Sequence, residues 1–176
     1  MFTPAVTMSE NISENVFRLH IIANSDSLHD QELKIKVRDN VLKHSELLYR
    51  ECASVDDAIQ VSKDSISTFN RIAQETLEYY GCKDKVKTYV TKEYFDTRYY
   101  DDFTLPAGVY NSLKIEIGKA EGHNWWCVMF PSVCLSGCTD DLSETLTDEE
   151  IDMLKSDKYV VRFKAVEIYE KIKSSI

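Results

Sequence analysis

Residues 122–134, GHNWWCVMFPSVC, contain both tryptophans of the chain and two of its five cysteines. Every residue from 125 to 130 is apolar, and the proline that follows is typical of the end of a β-strand. Successive side chains of a strand point to opposite faces, so both faces of this strand are apolar. The stretch therefore predicts a central strand that is covered on both sides.

Two segments before this stretch also alternate in the manner of strands. They are KVKTYVTKEYF (85–95) and VYNSLKIEIG (109–118), and the turn residues LPAG (105–108) precede the second of them. Three strands joined by short links predict an antiparallel meander. A fourth strand is predicted at VFRLHIIA (16–23), where apolar residues alternate with Arg18 and His20 and define one buried face.

Helices are predicted between and after these strands. A Ser or Thr stands three residues before an acidic residue at each predicted helix start, the pattern of a capping box. The pairs are Ser27 with Asp30, Ser54 with Asp57, and Thr147 with Glu150. The second helix is expected to run to Gly81.

The resulting order, β-α-α-β-β-β-α, predicts an α+β fold with helices packed on an antiparallel sheet of about four strands. We expect residues 1–15 to be a flexible N-terminal segment and residues 16–176 to form a single domain.

Composition and charge exclude several classes of function. The net charge of −9 argues against nucleic acid and against an anionic membrane surface as partners. No run of about 18 apolar residues occurs, so direct insertion of this chain into a membrane is not expected. No phosphate-binding loop or other cofactor motif is present, and we predict no cofactor.

The cysteines allow three kinds of chemistry. His123, Cys127, Cys134 and Cys138 together resemble a zinc ligand set, but the short C-x2-C spacing of common zinc modules is missing. We therefore predict no metal site. Alternatively, Cys134 could form a disulfide with Cys127 or with Cys138, which requires an oxidising compartment.

A thiol-dependent hydrolase is the third possibility. It would use Cys127 as the nucleophile, with His20 or His123 as the base. No familiar catalytic signature surrounds Cys127, Cys52 or Cys82, and His20 is better explained as a structural hydrogen-bonding residue. We therefore predict that the protein is not an enzyme.

Two segments are candidates for binding a protein partner. Tyr99 and Tyr100 lie in the polar segment DTRYYDDF, and tyrosine is a common anchor of protein interfaces. Asn24 and Asp26 lie in the loop NSDS at a strand-to-helix junction, and Arg38 lies in the helix that follows. The alternative for Asn24 and Asp26 is that they only shape the turn.

Two long stretches resemble stage II sporulation protein R. They are RLHIIANSDSLHDQELKIKVRDNVL (18–42) and LPAGVYNSLKIEIGKAEGHNWWCVMFPSVC (105–134), separated by the two-helix spacer. The resemblance covers most of 16–134. It includes cysteines matching Cys127 and Cys134, whereas Cys52, Cys82 and Cys138 depart from the family pattern and leave the pairing open.

The resemblance implies a signalling protein of endospore-forming bacteria. Such a protein is made in the forespore and secreted into the space between the forespore and mother-cell membranes. There it activates a membrane-embedded aspartic protease from the outward-facing side, and the protease processes pro-sigma-E. The family has no known catalysis of its own. The signal or anchor segment with which the family normally starts is not found in residues 1–15.

Overall fold

The computed structural model describes residues 4–100, 103–131, 146–155 and 167, and the side chains from residue 7 onward. Helices and strands follow one another along these residues. In chain order they are α1 (Pro4–Glu14), β1 (Phe17–Ile22), α2 (Leu28–Tyr49), α3 (Val55–Asp64), α4 (Ile66–Tyr79), β2 (Val86–Phe95), β3 (Arg98–Tyr99), β4 (Thr104–Leu105), β5 (Gly108–Ile117), β6 (Asn124–Phe130) and α5 (Asp148–Lys155).

The main sheet has four strands in the order β2-β5-β1-β6. β2 and β6 run antiparallel to their neighbours, but β1 runs parallel to β5, so the sheet is mixed. The predicted α+β class and four-stranded sheet are confirmed. The predicted meander is wrong in one respect, because β1 separates β5 from β6. β3 and β4 pair as a separate two-stranded hairpin.

This topology corrects two expectations about individual strands. β6 lies at an edge of the described sheet rather than at its centre, although Cys127 and Val128 are buried on its opposite faces. β1 takes the interior position and has no exposed face. Arg18 is completely buried and His20 nearly so, because strands flank both residues and further elements cover them.

The predicted helix starts are confirmed by their hydrogen bonds. The Ser27 hydroxyl accepts from the Asp30 N–H at 3.1 Å, and the Ser54 hydroxyl accepts from the Asp57 N–H at 3.2 Å. At the start of α5 the capping box is reciprocal. The long second helix, however, is broken at Ser65 into α3 and α4. Gly81 follows α4 with φ +76°, a conformation that glycine adopts without strain.

The N-terminal segment contains α1 where a flexible chain was expected. Its Ile12 is fully buried, and the Ser9 hydroxyl donates to the carbonyl of Ala107. Apolar residues spaced four apart, Met8 and Ile12, supply the helical face that contacts the sheet.

The two faces of the sheet are covered differently. One face packs against α2, α3 and α4 through an apolar core that includes Leu19, Leu113 and Met129. The opposite face carries a second apolar cluster, to which α1 and α5 contribute Ile12 and Met153. Charged side chains of the strands lie on this second face, beside that cluster.

Candidate functional site

One group of polar residues on the second face meets around a single carboxylate; we call it the Glu93 cluster. His20 on β1, Ser112 and Lys114 on β5, and Glu93 on β2 come from three adjacent strands. His20 Nδ1 lies 2.9 Å from one oxygen of Glu93, the Ser112 hydroxyl donates to the same oxygen at 2.5 Å, and Lys114 Nζ donates to the other at 3.0 Å. His20 Nε2 contacts the Asn124 side-chain oxygen at 2.9 Å.

These contacts determine the charge of Glu93. Burial by itself would raise the pKa of this carboxyl group, but the hydrogen bonds from His20, Ser112 and Lys114 outweigh it and lower the pKa to about 2. Glu93 is therefore an anion at neutral pH with both oxygens paired. The serine and the histidine both contact the carboxylate rather than each other, which is not the order of contacts in a catalytic triad.

A second group contains two guanidinium groups; we call it the arginine pair. Arg18 on β1 is fully buried, with its guanidinium carbon 4.1 Å from the ring centre of Phe95 and 5.0 Å from that of Tyr110. Its Nη2 donates to the Tyr100 hydroxyl at 3.1 Å, but its buried Nε and Nη1 have no hydrogen-bond partner. Most buried polar atoms in proteins do have one.

Arg98 on β3 is the other member of the arginine pair. Its guanidinium carbon lies 3.5 Å from the ring centre of Trp126, and its buried Nε also has no hydrogen-bond partner. Burial, together with the positive charge of Arg18, lowers the pKa of Arg98. Within the described ranges no carboxylate forms an ion pair with either arginine, although the charge of Asp96 acts on Arg98 at longer range.

The predicted residues Tyr99 and Tyr100 lie next to the arginine pair. Tyr99 is 61% exposed, which makes it one of the most exposed large apolar residues among those the structure describes. Tyr100 is half-buried, stacks on Phe103 with ring centres 4.7 Å apart, and accepts the bond from Arg18. The hairpin therefore places an accessible aromatic ring and the half-buried Arg98 beside the fully buried Arg18 of β1.

The predicted residues Asn24 and Asp26 hold a turn together. The Asn24 side chain accepts from the Lys119 N–H at 3.0 Å and donates to Asp30 at 2.9 Å. Asp26 accepts from the backbone N–H of His123 at 2.6 Å and also contacts its ring. These bonds support the alternative that both side chains shape the loop.

Arg38 lies on the other face of the sheet from the arginine pair. It pairs with Asp39 at 2.6 Å, and its guanidinium carbon lies 4.4 Å from the ring centre of Trp125. Trp125 and Trp126 thus each have an arginine guanidinium over the ring, on opposite faces of β6. The structure does not bring Arg38 together with Tyr99 and Tyr100.

Cys127 is disulfide-bonded, and its partner lies outside the described residues. The predicted pairing with Cys134 stays a prediction, since Cys134 and Cys138 both lie in the undescribed range 132–145. A disulfide removes the thiolate that either a hydrolase or a zinc site would need from Cys127. Cys52 and Cys82 are free, and burial raises the pKa of each thiol.

Neither histidine is placed to serve Cys127 as a base. Cys127 pairs across the sheet with Leu19, whereas His20 pairs with Trp126, so His20 and Cys127 point to opposite faces. The ring of His123 is exposed and bonds Asp26. These positions do not supply the Cys-His pair that the hydrolase alternative requires. Over the described part of the chain, no three His, Cys, Asp or Glu side chains are arranged to hold a metal ion.

No helix in the ranges that the structure describes is both long and apolar enough to cross a bilayer.

The family model of stage II sporulation protein R matches residues 13–140, which include β1 to β6, the Glu93 cluster and the arginine pair. The chain belongs to the stage II sporulation protein R family. A curated relative of that name from Bacillus subtilis (strain 168) is 37% identical over 123 residues, which is 70% of this chain and 55% of the relative. The chain therefore matches little more than half the length of that stage II sporulation protein R. No solved structure matches the chain significantly.

Sequence reasoning missed most of the residues that form the Glu93 cluster and the arginine pair in this member of the stage II sporulation protein R family. Arg18 was assigned to an exposed face, and Glu93, Ser112 and Arg98 were not singled out. The sequence does contain a signal for the Glu93 cluster, since polar residues alternate with apolar ones in β1, β2 and β5. The alternation identifies the polar face only when the position of β1 between β5 and β6 is known.

Proposed function

We propose that this domain is a secreted signalling ligand that activates a membrane-embedded aspartic protease, which then processes pro-sigma-E. Membership of the stage II sporulation protein R family supports this function. The structural observation that carries it is the hairpin of β3 and β4, where Tyr99 is 61% exposed beside the arginine pair. Tyr and Arg are the residues that most often anchor protein interfaces. The domain acts by binding and performs no reaction itself.

The proposed site of action is the space between the forespore and mother-cell membranes. The disulfide at Cys127 supports it, because disulfides form and persist in oxidising compartments and are rare in the cytosol. The partner surface is the outward-facing part of the protease. A ligand there needs no membrane insertion of its own.

Activation follows from differential binding. A ligand shifts a conformational equilibrium only by the difference in its affinity for the two states. The active protease, ordered or dimeric, therefore has to present a better surface to the hairpin than the resting protease does. The hydrogen-bonded sheet behind the hairpin favours this, because a preorganised surface loses little entropy on binding.

The test is processing of pro-sigma-E by the protease reconstituted in lipid vesicles, with the purified domain added from the outward-facing side. We expect the domain to raise the processing rate and Tyr99→Ala to raise it far less. Tyr79→Ala is the matched control, because Tyr79 is 84% exposed at the end of α4. Processing that does not respond to the wild-type domain would overturn the proposed function.

A further inference from the structure

We propose that Arg18 and Arg98 form a receptor site for a carboxylate side chain of the protein partner. The inference rests on the proposed function and specifies the chemistry of its contact. It concerns a pair of cations that the described part of the chain leaves without a counter-ion.

The first observation is the unpaired hydrogen-bonding capacity of Arg18. Its side chain is fully buried, yet two of its three guanidinium nitrogens have no partner. A buried charge is costly unless it is paired, so a fold that only required stability would place an apolar residue here. The retained arginine indicates that a partner supplies the missing acceptor.

The second observation is that Arg98 repeats the same pattern from a different element. Arg98 comes from the hairpin and Arg18 from the sheet. The aromatic rings that they contact are neighbours, because the ring centres of Phe95 and Trp126 lie 6.3 Å apart. Each guanidinium lies over a ring and has a buried Nε without a partner. Two like charges in one environment repel each other, and an anion relieves that repulsion for both.

The third observation is the neighbouring Glu93 cluster. On the same face of the sheet, Glu93 has both oxygens occupied by donors from its own chain. The strands are therefore able to pair a half-buried charge within the chain. The arginine pair differs because its described surroundings are aromatic rings and a tyrosine hydroxyl.

A carboxylate is the anion that fits these groups. A guanidinium presents a planar set of N–H donors that matches the two oxygens of a carboxylate. The aromatic surroundings exclude water and strengthen such a bond. Arg98 is only half-buried and meets the incoming group first. The Tyr100 hydroxyl already accepts from Arg18 Nη2, which leaves Arg18 Nε or Nη1 to donate to the carboxylate.

The experiment measures the dissociation constant between the domain and the protease in lipid nanodiscs at two salt concentrations. We expect Arg98→Gln to bind at least about tenfold more weakly than wild type and to show a smaller salt dependence, because a charged pair is lost. Arg98→Lys keeps the charge but not the planar donors, and its affinity should lie between those of wild type and Arg98→Gln. Arg71→Gln is the matched control, because Arg71 is exposed on α4 and pairs with Glu75 at 3.1 Å.

The outcomes separate the two proposals. Wild-type domain that does not bind the protease overturns the proposed function and this inference with it. Wild-type binding, with Arg98→Gln equal to Arg71→Gln in affinity and salt dependence, overturns this inference alone. Thermal unfolding of each variant is measured alongside. Weaker binding of Arg98→Gln at the melting temperature of wild type supports the inference, and weaker binding that follows a lowered melting temperature equally in Arg98→Gln and Arg98→Lys overturns it.

Discussion

The Glu93 cluster and the arginine pair lie on the same face of one sheet and differ in how their charges are paired. Glu93 receives three hydrogen bonds from its own chain, and its pKa is lowered to about 2. Arg18 is more deeply buried and keeps two unpartnered nitrogens. The comparison predicts that the first group stabilises the fold, whereas the second group costs stability, as the proposed carboxylate site requires.

Glu93→Gln has the largest expected effect. The native state loses an anion that His20, Ser112 and Lys114 all contact, and the lowering of the Glu93 pKa from 4.5 to about 2 corresponds to about 3 kcal/mol of unfolding free energy at neutral pH. Urea unfolding at pH 7 measures it. Glu116→Gln is the control, with a smaller loss of about 1 kcal/mol, because Glu116 accepts from Tyr89 and lies 3.8 Å from Lys87. Equal losses in the two variants would contradict the special role of Glu93.

The same contribution should depend on pH. A carboxyl group whose pKa is lower in the folded state adds stability above its unfolded pKa, and loses it as the pH falls through the folded value. For Glu93 this window runs from about 4.5 down to about 2. The difference in unfolding free energy between wild type and Glu93→Gln should therefore be about 3 kcal/mol at pH 7 and nearly vanish at pH 2. Other acidic groups contribute equally to both proteins, so their contributions cancel in this difference. A difference that does not change with pH would contradict the lowered pKa of Glu93.

Ser112→Ala has a smaller expected effect. Ser112 is fully buried and donates one of the bonds to Glu93. A hydrogen bond to a charged group contributes about 1.5–3 kcal/mol. Unfolding free energy should fall by an amount in the lower part of that range, since His20 and Lys114 still contact Glu93. The pKa of Glu93, followed by carbon-detected NMR, should rise toward its ordinary value. An unchanged Glu93 pKa in Ser112→Ala would show that Ser112 does not help to stabilise the Glu93 carboxylate.

Arg18→Met has the smallest expected effect on stability. Replacing a buried, incompletely paired charge by an apolar side chain of similar length is neutral or stabilising, so unfolding free energy should stay within about 1 kcal/mol of wild type or increase. Urea unfolding and a protease-binding assay on the same preparation measure the two quantities. Binding should be lost while stability is kept. A loss of about 3 kcal/mol, as for Glu93→Gln, would show that the two groups do not differ in kind.

The local features of the fold were predictable from sequence, and the pairing of distant segments was not. Ser27, Ser54 and Thr147 cap helices through residues three positions away, so a short window contains the whole signal. The place of β1 between β5 and β6 depends on residues about a hundred positions apart. The alternation of polar and apolar residues within a strand does not show which strands are its neighbours in the sheet.

The candidate site shows the same limit. Tyr99 was predicted as a partner-binding residue from its local surroundings. It is 61% exposed, and its role in binding stays a prediction. Arg18 was expected on an exposed face, because alternation alone cannot reveal that a second layer covers that face. Arg98 stacks on Trp126 only because the hairpin folds back over β6. Contacts of this kind arise from tertiary packing and leave no short sequence pattern.

Site-specific photo-crosslinking from the hairpin is the most direct test of the central claim that this surface contacts the protease. A benzoyl-phenylalanine residue replaces Tyr99 in one preparation and Tyr79 in another, and each is irradiated with the protease in vesicles. The account predicts a covalent adduct of the domain and the protease from position 99 and none from position 79. Processing that continues with no adduct from position 99, or with equal adducts from both positions, would contradict it.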